Sequence, residues 1–196
     1  MAALSKVFKI GIIAEEYNDV DVMYELTCKL ISENSFSFAK FVGHGCGALR
    51  RKCGSWAKVL RNRGCSHLII LHDADRNNCG AIRKLLEDRI GAVQFRGTVI
   101  LIPTEELEAW LLCDPAALKT VFKMRSEPST PLRPETVPNP KEFLGELVRK
   151  SSNTRYINTV HNQRIAKALE ISTLGRCPSF AAYPHFIQTS FCHDLQ

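Results

Sequence analysis

The chain alternates short, uniformly apolar runs with longer stretches whose apolar residues fall three and four apart. Val7 to Ile13 is the first apolar run. After it, Val22, Met23, Leu26 and Leu30 mark one helical face, with Asn18 or Asp19 placed to cap the helix. Phe36 to Val42 has strand character, and Gly43, Gly45 and Gly47 then punctuate a loop. Leu49, Cys53, Trp56, Ala57 and Leu60 form a second helical stripe, stopped by Gly64. His67–His72 is a third strand, and Ile82, Leu85, Leu86 and Ile90 mark a third helix ending at Gly91. Thr98 to Ile102 is a fourth strand, followed by a helix over 105–113 and by Asp114-Pro115, a cap and first-turn pair.

Four repeats of strand and helix predict an α/β fold: a mostly parallel, Rossmann-like sheet of about four strands with helices on both faces. Right-handed crossovers put all four strand ends on one edge. Pro128, Pro131, Pro134, Pro138 and Pro140 then crowd one stretch, which reads as a linker or surface loop. Helical patterns return at 141–150 and 161–170, with a short helical tail around Pro178 and Pro184. The expected organisation is a domain over 1–122, a Pro-rich connection over 123–140, and a helical C-terminal extension over 141–196 packed on or beside it.

Composition narrows the class. With 45% hydrophobic and 23% charged residues, the 196-residue chain reads as one soluble globular unit. No apolar run is long enough to span a bilayer, and Met1–Lys6 has no signal-peptide pattern, so a cytoplasmic protein without a membrane partner is expected. The eight cysteines never form a C-x-x-C pair, which argues against zinc and disulfides and for small buried hydrophobes. The net charge of +6 is unevenly spread. No acidic residue lies between Glu33 and Asp73, whereas Lys40, Arg50, Arg51, Lys52, Lys58, Arg61 and Arg63 do. That imbalance favours a polyanionic partner, with Arg50, Arg51, Lys52 and Lys58 as candidate nucleic-acid contacts. The loop Gly43-His44-Gly45-Cys46-Gly47 is a further phosphate-cradle candidate, although it lacks the Walker A spacing.

Three of the four strand ends carry carboxylates. Glu15, Glu16 and Asp19 follow the first, Asp73 and Asp75 the third, and Glu105, Glu106 and Glu108 the fourth. Singly, each has an ordinary explanation as a cap or first-turn residue. Together they concentrate negative charge that a divalent cation would compensate, and Mg²⁺ prefers such oxygen donors. His72 reads as a partly buried strand-end residue; Trp56 and Trp110 read as core; Arg155, Tyr156, His161 and Arg164 read as a solvated helix or nucleic-acid contacts.

Three segments carry a resemblance. Ile12-Ile13-Ala14-Glu15, Leu71-His72-Asp73-Ala74-Asp75 and Pro103-Thr104-Glu105-Glu106-Leu107-Glu108-Ala109-Trp110-Leu111-Leu112 together resemble a Toprim domain, over roughly residues 7–115. They look most like small stand-alone Toprim-like proteins associated with anti-phage defence, akin to overcoming-lysogenisation-defect nucleases. The resemblance implies a nuclease that uses one or two Mg²⁺ or Mn²⁺ ions to hydrolyse phosphodiester bonds in DNA or a structured RNA such as tRNA. It implies Glu15, Asp73, Asp75 and Glu108 as catalytic residues, the same four with Glu105 as the ligand set, and an ABC or overcoming-lysogenisation-defect type ATPase as partner. Glu16 stands where the common pattern has glycine, so Glu16 competes with Glu15, and Glu105 with Glu108. A homo-oligomer is compatible with this reading. The alternative is a non-catalytic Toprim-like module that binds nucleic acid or recruits a partner.

Overall fold

The computed structural model describes residues 7–191; residues 1–6 and 192–196, Cys192 among them, lie outside these. Its centre is a four-stranded, all-parallel sheet in the order β2-β1-β3-β4, formed by β1 (Phe8–Ala14), β2 (Phe36–Val42), β3 (His67–Leu71) and β4 (Gly97–Leu101). The inner strand β3 is buried throughout, as its unbroken apolar run requires when both faces are covered. The edge strand β2 is mostly part-exposed, and Ser37 and Lys40 face solvent there.

The pleat sends alternate residues to opposite faces. On one face, Ile10, Ile12, Ala14, Ile69, Leu71, Val99 and Leu101 share a core with helix α1 (Tyr17–Cys28) and the C-terminal helices. On the other, Ile13, Leu68, Ile70 and Ile100 pack under α2 (Cys46–Asn62) and α3 (Cys79–Ile90). Close approach of α2 to α3 is made at Gly54, where a Cβ would lie 2.1 Å from the carbonyl oxygen of Arg89.

After β4 come α4 (Glu108–Leu111), α5 (Pro115–Phe122), α6 (Pro140–Ser151), α7 (Asn158–Ala168) and α8 (Ala182–Phe191). Asp114 caps α5 as its sequence suggests, accepting from the N–H of Ala117 at 3.0 Å. Helix α7 lies on α1 and α8 on β4, and Leu144, Val148, Ile165, Tyr183 and Ile187 enter the same core as the sheet. The proline-rich segment is fastened down rather than loose. Pro131 and Leu132 give carbonyls to Arg176, and Glu135 accepts from Ser179.

Two expected elements differ near the strand ends. The helix expected over 105–113 is only the turn Glu108–Leu111. Glu105 and Glu106 lie before it, because their segment is tied to its neighbours: Glu105 accepts the Asp75 N–H through its carbonyl, and Glu106 accepts the Lys141 N–H through its side chain. Helix α1 starts earlier than Asn18 or Asp19 allows. Glu16 is its cap residue, and Asp19 reaches back to the Glu16 N–H at 2.8 Å. Among the described residues, no helix is long and apolar enough to cross a membrane.

Candidate functional site

The strand order places β1 and β3 side by side with their connections leaving in opposite directions. This is the switch point where open α/β sheets form a crevice beyond the strand ends. Glu15 follows β1 at this point and Asp73-Ala74-Asp75 follows β3. The loop after β3 is locked to the loop after β4 by the N–H groups of Ala74 and Asp75, which donate to the carbonyls of Pro103 and Glu105 at 3.1 Å each. Asp75 and Arg76 both hold positive φ, at 47° and 63°. Two consecutive left-handed non-glycine residues are an unfavourable conformation that the surrounding bonds impose.

The two aspartates do different work. Asp73 turns inward and accepts the Leu107 N–H at 3.0 Å. Asp75 is exposed and faces outward, where one ligand atom each from Glu15, Cys46 and Asp75 lie within 4.8 Å of one another. Cys46 is the first residue of α2, brought there because the N–H groups of Gly43 and Gly45 bond the carbonyls of Ala14 and Glu15.

Glu15 is held from two sides. The Asp73 N–H donates to its Oε1 at 3.1 Å, and Nδ1 of His72 lies 3.2 Å from the same oxygen. His72 is fully buried rather than part-exposed. Its Nε2 faces the Nε–H of Arg50 at 2.8 Å. That donor makes Nε2 an acceptor and places the imidazole proton on Nδ1, toward Glu15 and the Asp73 carbonyl. Burial, with the Arg50 charge adding to it, pushes the His72 pKa down and keeps the ring neutral. Arg50 Nη2 is itself buried without a partner.

Glu108 is enclosed on the other side of the cluster, at 4% exposure. Its Oε1 accepts from Nδ2 of Asn162 at 3.0 Å and lies 3.1 Å from the hydroxyl of Tyr156, which also reaches Asn162 Oδ1 at 2.6 Å. Both partners come from the C-terminal region. Tyr156 is therefore not a solvated residue, and His161 is buried against the Phe122 ring at 4.9 Å. Arg155 and Arg164 are exposed.

Negative charge accumulates between these groups. Burial raises the Glu15 carboxyl to about 7, and Asp75 adds to the effect. Burial raises Asp19 to about 7, with Glu108 and Glu16 contributing and the Glu16 N–H opposing. Asp73 is raised well above the carboxylate range by its enclosure, then by Asp19, Glu108, Glu15 and Asp75. Glu16 is exposed at the rim, and Glu105 lies 4.0 Å from Arg76 Nε. Cys46 extends the expected residue set, and Asp19, expected among the strand-end carboxylates, lies close enough to raise Asp73. The signal for Cys46 was its place just after Gly43-His44-Gly45 at a helix start.

The basic stretch splits. Arg50 is engaged with His72, whereas Arg51, Lys52 and Lys58 are exposed along α2, which runs from the site toward the opposite edge of the sheet. Trp56 is part-exposed and stacks on Phe41, and Lys52 lies over its ring at 5.9 Å.

The family model described as "Domain of unknown function (DUF4276)" matches residues 13–188. The chain belongs to the DUF4276 family. The matched span runs from β1 through α8. It thus takes in both the strand-end carboxylates and the Tyr156 and Asn162 side chains that hold Glu108. No curated protein and no solved structure matches the chain.

Proposed function

We propose that this DUF4276 chain is a metal-dependent nuclease that hydrolyses phosphodiester bonds in DNA or a structured RNA such as tRNA. The observation that carries the reading is the cluster at the β1/β3 switch point, where burial, with neighbouring carboxylates adding to it, raises the Glu15, Asp19 and Asp73 carboxyls. The donor set fits a divalent cation: Glu15, Cys46 and Asp75 converge within 4.8 Å, with Asp73, Asp19 and Glu108 behind them. Such an ion, Mg²⁺ or Mn²⁺, supplies charge neutralisation at a phosphoryl oxygen and acidifies a bound water.

The protein's own groups have distinct tasks in this proposal. Glu15, which burial raises to about 7 in the metal-free protein, sits beside Asp75 where it would hold the ion or take a proton from a neighbouring water. His72 and the Asp73 N–H orient it, and Arg50 fixes the His72 tautomer. Asp75 is the outward carboxylate, and Asp73 holds the loop before α4 in place. The exposed face of α2, with Arg51, Lys52 and Lys58, offers sequence-independent contacts to a phosphate backbone. An ATPase partner and a role in anti-phage defence belong to the same proposal and rest on the Toprim resemblance. A cytoplasmic location is part of the same proposal.

A non-catalytic binding module is the second reading. It is favoured by one feature: Asp73 and Glu108 are already engaged by the Leu107 N–H and by Asn162 and Tyr156.

Cleavage of DNA and tRNA in Mg²⁺ or Mn²⁺, against an EDTA control, separates the two. Asp75→Asn is the informative variant, because Asp75 is exposed, whereas Asp73→Ala also removes a structural bond. Metal-dependent cleavage lost in folded Asp75→Asn supports the nuclease. Metal-independent binding without cleavage, with an ATPase partner present, overturns it.

A further inference from the structure

Cys113 and Cys177 lie 64 residues apart in sequence, yet their Sγ atoms are 3.1 Å apart in the core. Both thiols are free and each residue is 1% exposed. Two sulfurs at this separation are about 1 Å from disulfide bonding distance. They also face the same group, the carbonyl of Ala109, at 3.8 and 3.7 Å. The backbone on both sides is fixed. Cys113 ends the turn after α4, and its carbonyl accepts Arg176 Nη1 at 2.9 Å. Cys177 joins two 3-10 turns, and Ser179 beside it bonds Trp110 Nε1 at 2.8 Å.

We propose that Cys113 and Cys177 are a reversible redox pair, converted by a peroxide into an intramolecular disulfide that locks the C-terminal segment to the end of α4. One thiol sulfur attacks a peroxide oxygen, the O–O bond breaks, and a sulfenic acid forms as one water leaves. The second thiol attacks that sulfur, the S–S bond forms, and a second water leaves. The two thiols lose two electrons and two protons, and the peroxide is reduced. Cys177 has a thiol pKa raised by its contact with Cys113 and by burial, so oxidation is slow in the resting fold. The closed loop contains the proline-rich segment, α6 and α7, and therefore both groups that hold Glu108.

The test uses the full chain, reduced and then exposed to hydrogen peroxide, with denaturation and alkylation before intact-mass and peptide mapping. The expected result is a loss of about 2 Da carried by a peptide joining Cys113 to Cys177, reversed by dithiothreitol. Oxidised protein should melt roughly 5–10 °C higher than reduced protein, as expected for closing a long loop. Cys79→Ser should retain the bridge and Cys177→Ala should lose it; mapping in the unsubstituted chain decides the matter if Cys177→Ala does not fold. Alkylation of both thiols after oxidation, or a bridge that maps to another pair, overturns the proposal.

Discussion

Arg50 donates its Nε–H to Nε2 of His72 at 2.8 Å, and this one bond sets which nitrogen of a fully buried histidine carries the proton. The proton then sits on Nδ1, facing Glu15 Oε1 at 3.2 Å. Nitrogen NMR of His72 should show a neutral ring protonated at Nδ1 down to mildly acidic pH, since burial lowers its pKa. Arg50→Ala should release the tautomer and destabilise the fold by about 1–3 kcal/mol in urea melts, because Nε2 is left buried and unpaired. An unchanged nitrogen spectrum in that variant would refute the assignment.

The metal-free protein should lose stability as pH rises from about 4.5 to 7. Glu15 and Asp19 start from 4.5 and 3.8 and are raised to about 7 by burial, so the folded state binds protons that the unfolded state has released. A raised carboxyl contributes its stability in full below the unfolded pKa and loses it through the folded pKa. Melting temperature in EDTA should therefore fall across this window. Mg²⁺ or Mn²⁺ should flatten or reverse the slope, because a cation replaces the protons. Identical profiles with and without metal would count against a cation at the cluster.

The alternation of strands and helices was legible because each inner strand is an unbroken apolar run and each covering helix a three-four stripe. Asp73 and Asp75 were legible for a related reason, as charges that end such a run at a sheet edge. What distinguishes the two was not. Their opposite roles depend on the Leu107 N–H, which donates to Asp73 and leaves no mark in the sequence pattern, and on a positive φ at Asp75. Arg50 read as one of several surface cations, since only the fold shows that His72 lies beneath it. Tyr156 and Asn162 were missed as Glu108 partners because they stand 48 and 54 residues away, beyond a proline-rich segment that looked like a linker.

Truncation at Tyr156 and Asn162 should reveal coupling. Tyr156→Phe should be mild, costing about 0.5–1.5 kcal/mol, because Asn162 still donates to Glu108. Asn162→Leu should cost more, about 1–3 kcal/mol, as it withdraws the amide donor from a buried carboxylate. The double variant should depart from additivity by at least about 0.5 kcal/mol, since the three groups form one network. Chemical denaturation of the four proteins closes the cycle, and simple additivity would mean that the groups act independently.

Gly54→Ala should destabilise the fold by about 1–3 kcal/mol, through overpacking rather than loss of contact. The added Cβ would meet the Arg89 carbonyl oxygen at 2.1 Å, and a backbone atom cannot swing aside as a side-chain tip does. Gly175→Ala is the natural control, because nothing lies within 4 Å of the Cβ position there. Equal melting temperatures for the two variants would show that α2 and α3 separate without penalty.

Cys46 should decide which ion the cluster prefers. Glu15 and Asp75 are hard oxygen donors suited to Mg²⁺ or Mn²⁺, whereas a thiolate adds affinity for softer ions such as Zn²⁺. It is the first residue of the 17-residue helix α2, which holds its Sγ within 4.8 Å of a ligand atom of Glu15 and of Asp75. Cys46→Ser keeps the size of the side chain and removes the soft donor. Calorimetric titration should show Zn²⁺ binding weakened at least about tenfold in Cys46→Ser while Mg²⁺ binding stays nearly constant. Equal weakening of both ions would mean that residue 46 shapes the loop rather than coordinating. Loss of neither would place the ion on Glu15 and Asp75 with the inner carboxylates alone.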